Sequence, residues 1–202
     1  LYFSTDEVFG PAPKGINYKE DDRYRSGNPY AASKAGGEEM CISFFNTYKL
    51  PILITHTMNV IGERQHPEKF FPKIINHVLK NKTLTIHSNK NKTKAGSRYY
   101  IHAQDVASAV IFILNKGKVG EKFNIVGSKE IDNLQLAQII AKQLKKRLRY
   151  KMVDFHSARP GHDLRYALDG EKLKKLGWTT KKNINQRIKQ TIDWSLKNKN
   201  WL

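Results

Sequence analysis

The sequence predicts an α/β protein: part of a parallel sheet carrying a smaller α/β lobe. Short apolar runs alternate with amphipathic helical stretches, and the helices open on capping residues or proline. No internal repeat or low-complexity linker divides the chain, so one compact unit is expected. Leu1-Tyr2-Phe3-Ser4-Thr5 reads as a buried strand with no turn or cap before it, which predicts a piece of a longer protein. Asn28-Pro29 opens a long helix over 30–49, because proline is tolerated where the first-turn N–H has no partner. Met40, Ile42, Phe44, Phe45 and Tyr48 recur along it at helical spacing, and Leu50-Pro51 ends it. The continuous run Pro51-Ile52-Leu53-Ile54-Thr55 suits a parallel strand covered on both faces.

Beyond this strand–helix–strand opening, a helix is expected over 70–80 with Pro72 in its first turn. Strands are expected over 84–87 and 98–101, joined by a lysine-rich loop. An amphipathic helix over 103–115, a strand over 121–126, and a helix capped by Asp132 running to about residue 146 continue the alternation. A strand over 149–153, a long ordered loop over 154–169, and helices near Leu173 and over 184–196 close the chain.

At 202 residues and 39% hydrophobic content the chain can bury a real core. No apolar stretch nears the roughly 20 residues that span a bilayer, and Leu1 to Gly10 lack the order of a signal peptide. A soluble, cytoplasmic protein without membrane partners is expected. Cys41 is the sole cysteine, which excludes an internal disulfide, and the seven histidines show no metal-ligand spacing, so no metal is expected. A formal charge of +18 would suit nucleic acid, yet lysine and asparagine recur along the whole chain (80–82, 90–92, 197–200). A solvated lysine-rich surface is therefore the preferred reading, with nucleic acid an unlikely partner. The first 40 residues are slightly acidic and the stretch after residue 140 strongly basic.

Two constellations carry chemistry. Thr5-Asp6-Glu7 sits where the first strand runs out, and open α/β sheets place ligands at the carboxyl ends of strands. Two adjacent carboxyls in different environments can divide into an acid and a base, as eliminating water from a sugar requires. Alternatively Thr5 and Asp6 only cap a turn. Tyr30-Ala31-Ala32-Ser33-Lys34 puts a phenol and an ammonium one helical turn apart on one face, and a fixed cation favours the phenolate. The plain alternative is an exposed helix-face pair.

Together these segments, with 25 residues from Thr5 to Tyr30, resemble the extended short-chain dehydrogenase/reductase superfamily and, within it, the dTDP-glucose 4,6-dehydratase family. Further along, Asn59-Val60-Ile61-Gly62 and Gln65 to Phe70 are similar to that family's substrate-contacting loop and helix start, Arg98 before Tyr99-Tyr100-Ile101 resembles its diphosphate-holding arginine, and Phe123-Asn124-Ile125 resembles its Tyr-Asn-Ile strand. Arg159-Pro160-Gly161-His162-Asp163, Arg165-Tyr166-Ala167 and Leu176-Gly177-Trp178 are similar to its nucleotide-binding region, so the likeness covers nearly the whole chain.

The resemblance implies a Rossmann-like parallel sheet, with 1–60 the C-terminal part of the NAD-binding domain. It implies that 61–202 are mainly a nucleotide-sugar lobe, with 97–128 returning to the sheet. It also implies NAD as cofactor, contacted by Ser4, Tyr30, Lys34 and Asn59, and a nucleoside-diphospho-sugar bound by Asn59, Glu68, Lys69, Phe70, Arg98, Asn124, Arg159, His162 and Tyr166. Arginine's forked donors suit a diphosphate better than lysine does. In the implied reaction Tyr30 takes the C4 hydroxyl proton with Thr5 bonded to the same oxygen. Glu7 then removes the C5 proton and Asp6 protonates the departing C6 hydroxyl. The helix of Tyr30 is implied to join a homodimer. Three departures stand out: no Gly-x-x-Gly-x-x-Gly occurs, Phe9 stands where tyrosine is usual, and His56 where many relatives carry arginine. A decarboxylase or 4-epimerase on the same scaffold, or a non-catalytic basic nucleotide- or nucleic-acid-binding piece, remain the competing readings. Cys41 reads as a small buried hydrophobe.

Overall fold

In the computed structural model, residues 1–155 and 164–202 are described. Strands β1 (Tyr2–Thr5), β2 (Ile54–Thr57) and β7 (Lys122–Ile125) form an all-parallel sheet in the order β1-β2-β7, with Phe3 facing Thr55 and Thr55 facing Phe123. Parallel neighbours need crossovers, and helix α1 (Pro29–Tyr48) supplies the first, connecting β1 to β2. It begins where Asn28 accepts a hydrogen bond from the Ala31 N–H at 2.9 Å, with Pro29 at the first position. It ends in a left-handed Lys49. Helix α3 (Ala103–Lys116) lies between β6 (Ile101–His102) and β7, and Ala109 and Ile113 pack under Phe123 and Ile125.

The second body forms around α2 (Phe70–Leu79) and α4 (Asn133–Gln143), with α6 (Ile184–Lys197) packed on α4. Ile74, Ile75, Leu84, Leu136, Ile140 and Ile188 are fully enclosed there. Capping boxes start α4 (Asp132 with Gln135) and α6 (Asn183 with Gln186), so each helix has a defined entry. Strand β4 (Leu84–Ser88) pairs in parallel with β9 (Tyr150–Asp154), and β5 (Ser97–Tyr99) pairs antiparallel with β8 (Glu130–Asp132). The short β3 (Val60–Ile61) pairs in parallel with β6, and α5 (Glu171–Lys175) packs on β7.

Three differences from the expected elements have physical causes. The strand expected over 51–55 begins only at Ile54: Pro51 lacks the N–H a ladder needs, and the Ile52 N–H turns back to the Leu50 carbonyl at 2.9 Å; Leu53 is buried ahead of the strand. The strand expected over 98–101 is two, β5 and β6, broken at Tyr100, and they pair with different partners. Most of the apolar positions of α1 are not core: Met40, Phe44 and Tyr48 are exposed, and Ala31 and Glu38 are its buried residues. Part of the loop expected over 154–169 lies outside the described residues. No helix among the described residues is long and apolar enough to cross a membrane.

Candidate active site

The site is built where β1 ends. Thr5 leaves the strand extended, and the next four residues, Asp6 to Phe9, wind into one 3-10 turn. Thr5 Oγ1 accepts from the Glu7 N–H at 3.3 Å and donates to Asp6 Oδ1 at 3.1 Å. Val8 and Phe9 anchor the turn in a cluster with Met58, Tyr166 and Leu168. The two carboxyls consequently face different surroundings. Asp6 is 6% exposed, and its second oxygen is buried without a hydrogen-bond partner. Burial pushes its carboxyl up to about 6, with neighbouring Glu7 adding to the rise, while the Arg98 guanidinium and the Thr5 bond pull it back. Glu7 is only half-buried and accepts a 2.9 Å hydrogen bond from Asn28 Nδ2.

That bond ties the turn to α1. Asn28 is the helix cap, so Glu7 stands at the N-terminus of the helix that carries Tyr30 two residues later. Tyr30 is half-exposed, and Lys34 lies one turn on, its ammonium 4.5 Å from the centre of the Tyr2 ring. Helix and strand approach closely because position 37 is glycine: a Cβ there would stand 2.1 Å from the Tyr2 hydroxyl oxygen. Thr5, Asp6, Glu7 and the start of the Tyr30–Lys34 helix are thus one local assembly.

Several residues expected to touch ligand are instead held by protein. Ser4, expected at the cofactor, is buried and donates its hydroxyl to Glu38. Thr5 is buried as well, and its hydroxyl serves Asp6 and Glu7, where a bond to a sugar oxygen was expected. Asn124, expected at the substrate, is enclosed: its Nδ2 donates to the Tyr18 and Asp169 carbonyls and its Oδ1 meets His56 Nδ1 at 2.9 Å. Tyr166, expected to bind substrate, is 3% exposed and offers its ring to Arg98, whose guanidinium carbon lies 4.5 Å from the ring centre. Arg98 also donates to the Ser97 and Leu164 carbonyls, at 2.6 and 2.9 Å, and its charge is felt at Asp6. Asn59 is exposed just past β2, its carbonyl accepting from the Ile101 N–H; Glu68 and Lys69 are exposed and Phe70 half-buried at the start of α2. Arg159 and His162 lie outside the described residues.

Beneath Lys34 the structure reveals a network that the sequence reading missed. Glu38, one further turn along the same face as Tyr30 and Lys34, is fully buried and accepts from Ser4, Tyr24 and His56 Nε2, the last at 3.0 Å. Burial would raise its carboxyl, but the bonds from His56, Ser4 and Tyr24 outweigh that and hold it below the usual range. Tyr24 is driven up by burial and by this carboxylate. The Asn124 orientation is fixed by two carbonyl acceptors, and its Oδ1 and the Glu38 carboxyl flank the two His56 ring nitrogens at 2.9 and 3.0 Å. The i, i+4, i+8 spacing of Tyr30, Lys34 and Glu38 was the available signal. Arg165, named in the segment similar to the nucleotide-binding region, pairs with Glu130 at 2.8 Å and donates to the carbonyls of Pro13 and Ile16, fastening the loop after the 3-10 turn. A cavity of about 440 Å³ lined by Tyr99, Asn124, Asp169 and Trp178 is separate from Asp6, Glu7 and Tyr30.

Known proteins resemble this chain in sequence and fold. The chain is 34% identical to a dTDP-glucose 4,6-dehydratase of Xanthomonas campestris, a match covering 100% of this chain and 59% of that one. It is 37% identical to the human dTDP-D-glucose 4,6-dehydratase, covering 100% and 57%. Among solved structures, the dTDP-glucose 4,6-dehydratase of Bacillus anthracis in complex with NAD superposes with a TM-score of 0.89 at 32% identity, over 98% of this chain and 62% of that one. A Thermus thermophilus UDP-glucose 4-epimerase complex with NAD follows with 0.88 at 26%, over 96% and 62%. The chain thus spans about three-fifths of the length of these relatives. A family model described as GDP-mannose 4,6 dehydratase matches residues 1–191, and the chain belongs to that family of nucleotide-sugar dehydratases.

Proposed function

We propose that this chain is the catalytic and substrate-binding portion of an NAD-dependent nucleotide-sugar 4,6-dehydratase acting on a dTDP- or UDP-glucose. The observation carrying the reading is the split between two adjacent carboxyls: buried Asp6, pushed up to about 6 with one oxygen unpartnered, beside Glu7, which is half-buried and held by Asn28. A 4-epimerase needs no such pair.

NAD would be met by the residues suited to its nicotinamide end: Tyr30 and Lys34 on the accessible face of α1, with Asn59 exposed beyond β2. The unpartnered Asp6 oxygen supports a ligand of polar character between these elements. When bound, NAD supplies the hydride chemistry at the sugar carbons. Tyr30 takes the C4 hydroxyl proton, with Lys34 one turn away on the same helix. A carbonyl at C4 acidifies the C5 hydrogen, which Glu7 removes, its position set by Asn28. Asp6 delivers its proton to the departing C6 oxygen so that water leaves. Thr5 is a positioning residue for Asp6. Arg98, stacked on Tyr166, would hold the diphosphate together with Arg159 and His162, and Glu68, Lys69 and Phe70 would border the sugar.

The same reading divides the chain into 1–60, joined by 97–128, facing NAD, and the remaining lobe facing the nucleotide. It also makes α1 a homodimer element, supported by exposed Met40, Phe44 and Tyr48, and places the enzyme in the cytoplasm, where nucleotide sugars are made. The test is mass spectrometry of dTDP- and UDP-glucose incubated with the full-length protein and NAD. Loss of one water is expected, and an isobaric product would instead identify the epimerase.

A further inference from the structure

The positive charge is not spread evenly once the strands are paired. Residues 69–104 carry eight Lys and Arg and no carboxylate, and residues 133–153 carry six and no carboxylate. The fold brings these two stretches together: β4 runs beside β9 from Leu84–Tyr150 to Ser88–Asp154, and α2 packs on α4. The Lys80 to Lys82 turn therefore meets the Lys145 to Arg149 turn at one end of the lobe, where the Leu84 N–H donates to the Arg149 carbonyl at 2.8 Å. These two stretches carry a net charge of +14 out of the chain's +18, because every Asp and Glu lies outside them.

Next to this end, a groove of about 770 Å³ opens between α4 and α6. Its floor is apolar, formed by Ile131, Ile139, Ile192 and the exposed Leu196. Its rim carries Lys129, Lys142, Lys145 and Lys189 against one acid, Asp193, which is already paired with Lys189 at 2.6 Å. Gln143 also lines it, with its side-chain oxygen lacking a hydrogen-bond partner. None of the residues of the catalytic turn or of α1 borders this groove.

We propose that this groove is a docking site for an acidic amphipathic polypeptide segment of another protein, apolar on one side and rich in Asp or Glu on the other. A trough between two helices accepts apolar side chains spaced along a helix. A lysine rim around it selects for acidic flanks and raises the rate of encounter. The shape argues against the two other polyanions. A lipid surface is engaged by convex apolar faces, and a nucleic acid backbone by basic surface with aromatic stacking, which the groove's aliphatic floor lacks.

The test uses the full chain and a labelled synthetic helix with Leu at i, i+3, i+4 and i+7 and Glu elsewhere, read by fluorescence anisotropy. A scrambled peptide of identical composition, a duplex DNA oligonucleotide and phosphatidylglycerol vesicles serve as comparisons. Binding of the amphipathic peptide at least about tenfold tighter than the scrambled one is expected. K142E and L196E, both at exposed positions, should each weaken it about tenfold. The triple change K90E/K92E/K94E, in the hairpin after β4, removes more positive charge but should leave the affinity within about twofold. Equal binding of the two peptides, sensitivity to the hairpin variant alone, or tighter association of DNA or vesicles that K142E weakens would each overturn the proposal. The measurements need neither cofactor nor turnover, so they stand or fall independently of the dehydratase reading.

Discussion

Asp6 meets opposing demands: a carboxyl sequestered from water resists ionising, while Arg98 draws it toward the charged form, and burial wins. As the acid it must hold a proton, so its contribution to turnover should decline as pH rises through about 6. D6N removes the donor and should lower dehydration by about 10²–10⁴ while substrate binding persists, a separation that steady-state kinetics with product mass spectrometry would read. Stability should follow the same direction with pH. A carboxyl whose folded value lies above its unfolded 3.8 stabilises the fold below that pH, and this contribution is lost as pH climbs through about 6. Asparagine never ionises, so D6N should be more stable than the parent at pH 8 by about 2 kcal/mol, an order-of-magnitude figure, and nearly equal at pH 4. Urea midpoints at the two pH values check this, and a destabilised D6N at pH 8 would refute the buried-acid assignment.

Helix α1 is fixed by contacts at its underside, not by an apolar stripe. G37A gains helix propensity of up to about 1 kcal/mol but collides with the Tyr2 hydroxyl; moving the ring or the helix should cost more, a net loss of about 1–2 kcal/mol seen as a lower thermal midpoint. E38A should lose about 3 kcal/mol, because Ser4, Tyr24 and His56 then surround an empty acceptor position. Glu38 is held below its ordinary range, so its contribution is present above pH 4.5 and is lost as pH falls; parent and E38A should converge in acid. These contacts also mark how far the sequence was legible. Thr5-Asp6-Glu7 and Tyr30-x-x-x-Lys34 could be read because each is local, its geometry set by a strand end or one helical turn. Glu38 and His56 meet across 18 positions and two elements, a contact that no local spacing encodes. The lengths of β3 and β8, two and three residues, likewise left no period to detect. Ser4, Asn124 and Tyr166 were placed at the ligand by resemblance of type and position, and their burial among protein partners is a property that no local pattern encodes.

Taken whole, the molecule carries +18 with much of that charge on one lobe, so the folded state works against its own repulsion. Raising ionic strength from about 20 mM to about 300 mM contracts the screening length severalfold. The thermal midpoint should rise by about 2–4 °C, the shift that roughly 1 kcal/mol gives in a domain of this size, and differential scanning calorimetry would show it. A fall with salt would mean that favourable ion pairs such as Arg187–Asp105 outweigh the repulsion. The concentration of charge became visible only with the pairing of β4 and β9, since the two acid-free stretches lie well apart in the chain.

Asn28 serves two masters with one carboxamide, its oxygen taking the helix N–H and its nitrogen holding Glu7. Such a group is vulnerable in principle to ageing, since side-chain amides of asparagine are commonly lost when the following backbone nitrogen attacks them through a cyclic imide. Here the following residue is Pro29, whose nitrogen bears no hydrogen and cannot close that ring. The residue that begins the helix therefore also protects the neutral amide from turning into another carboxyl beside Glu7 and Asp6.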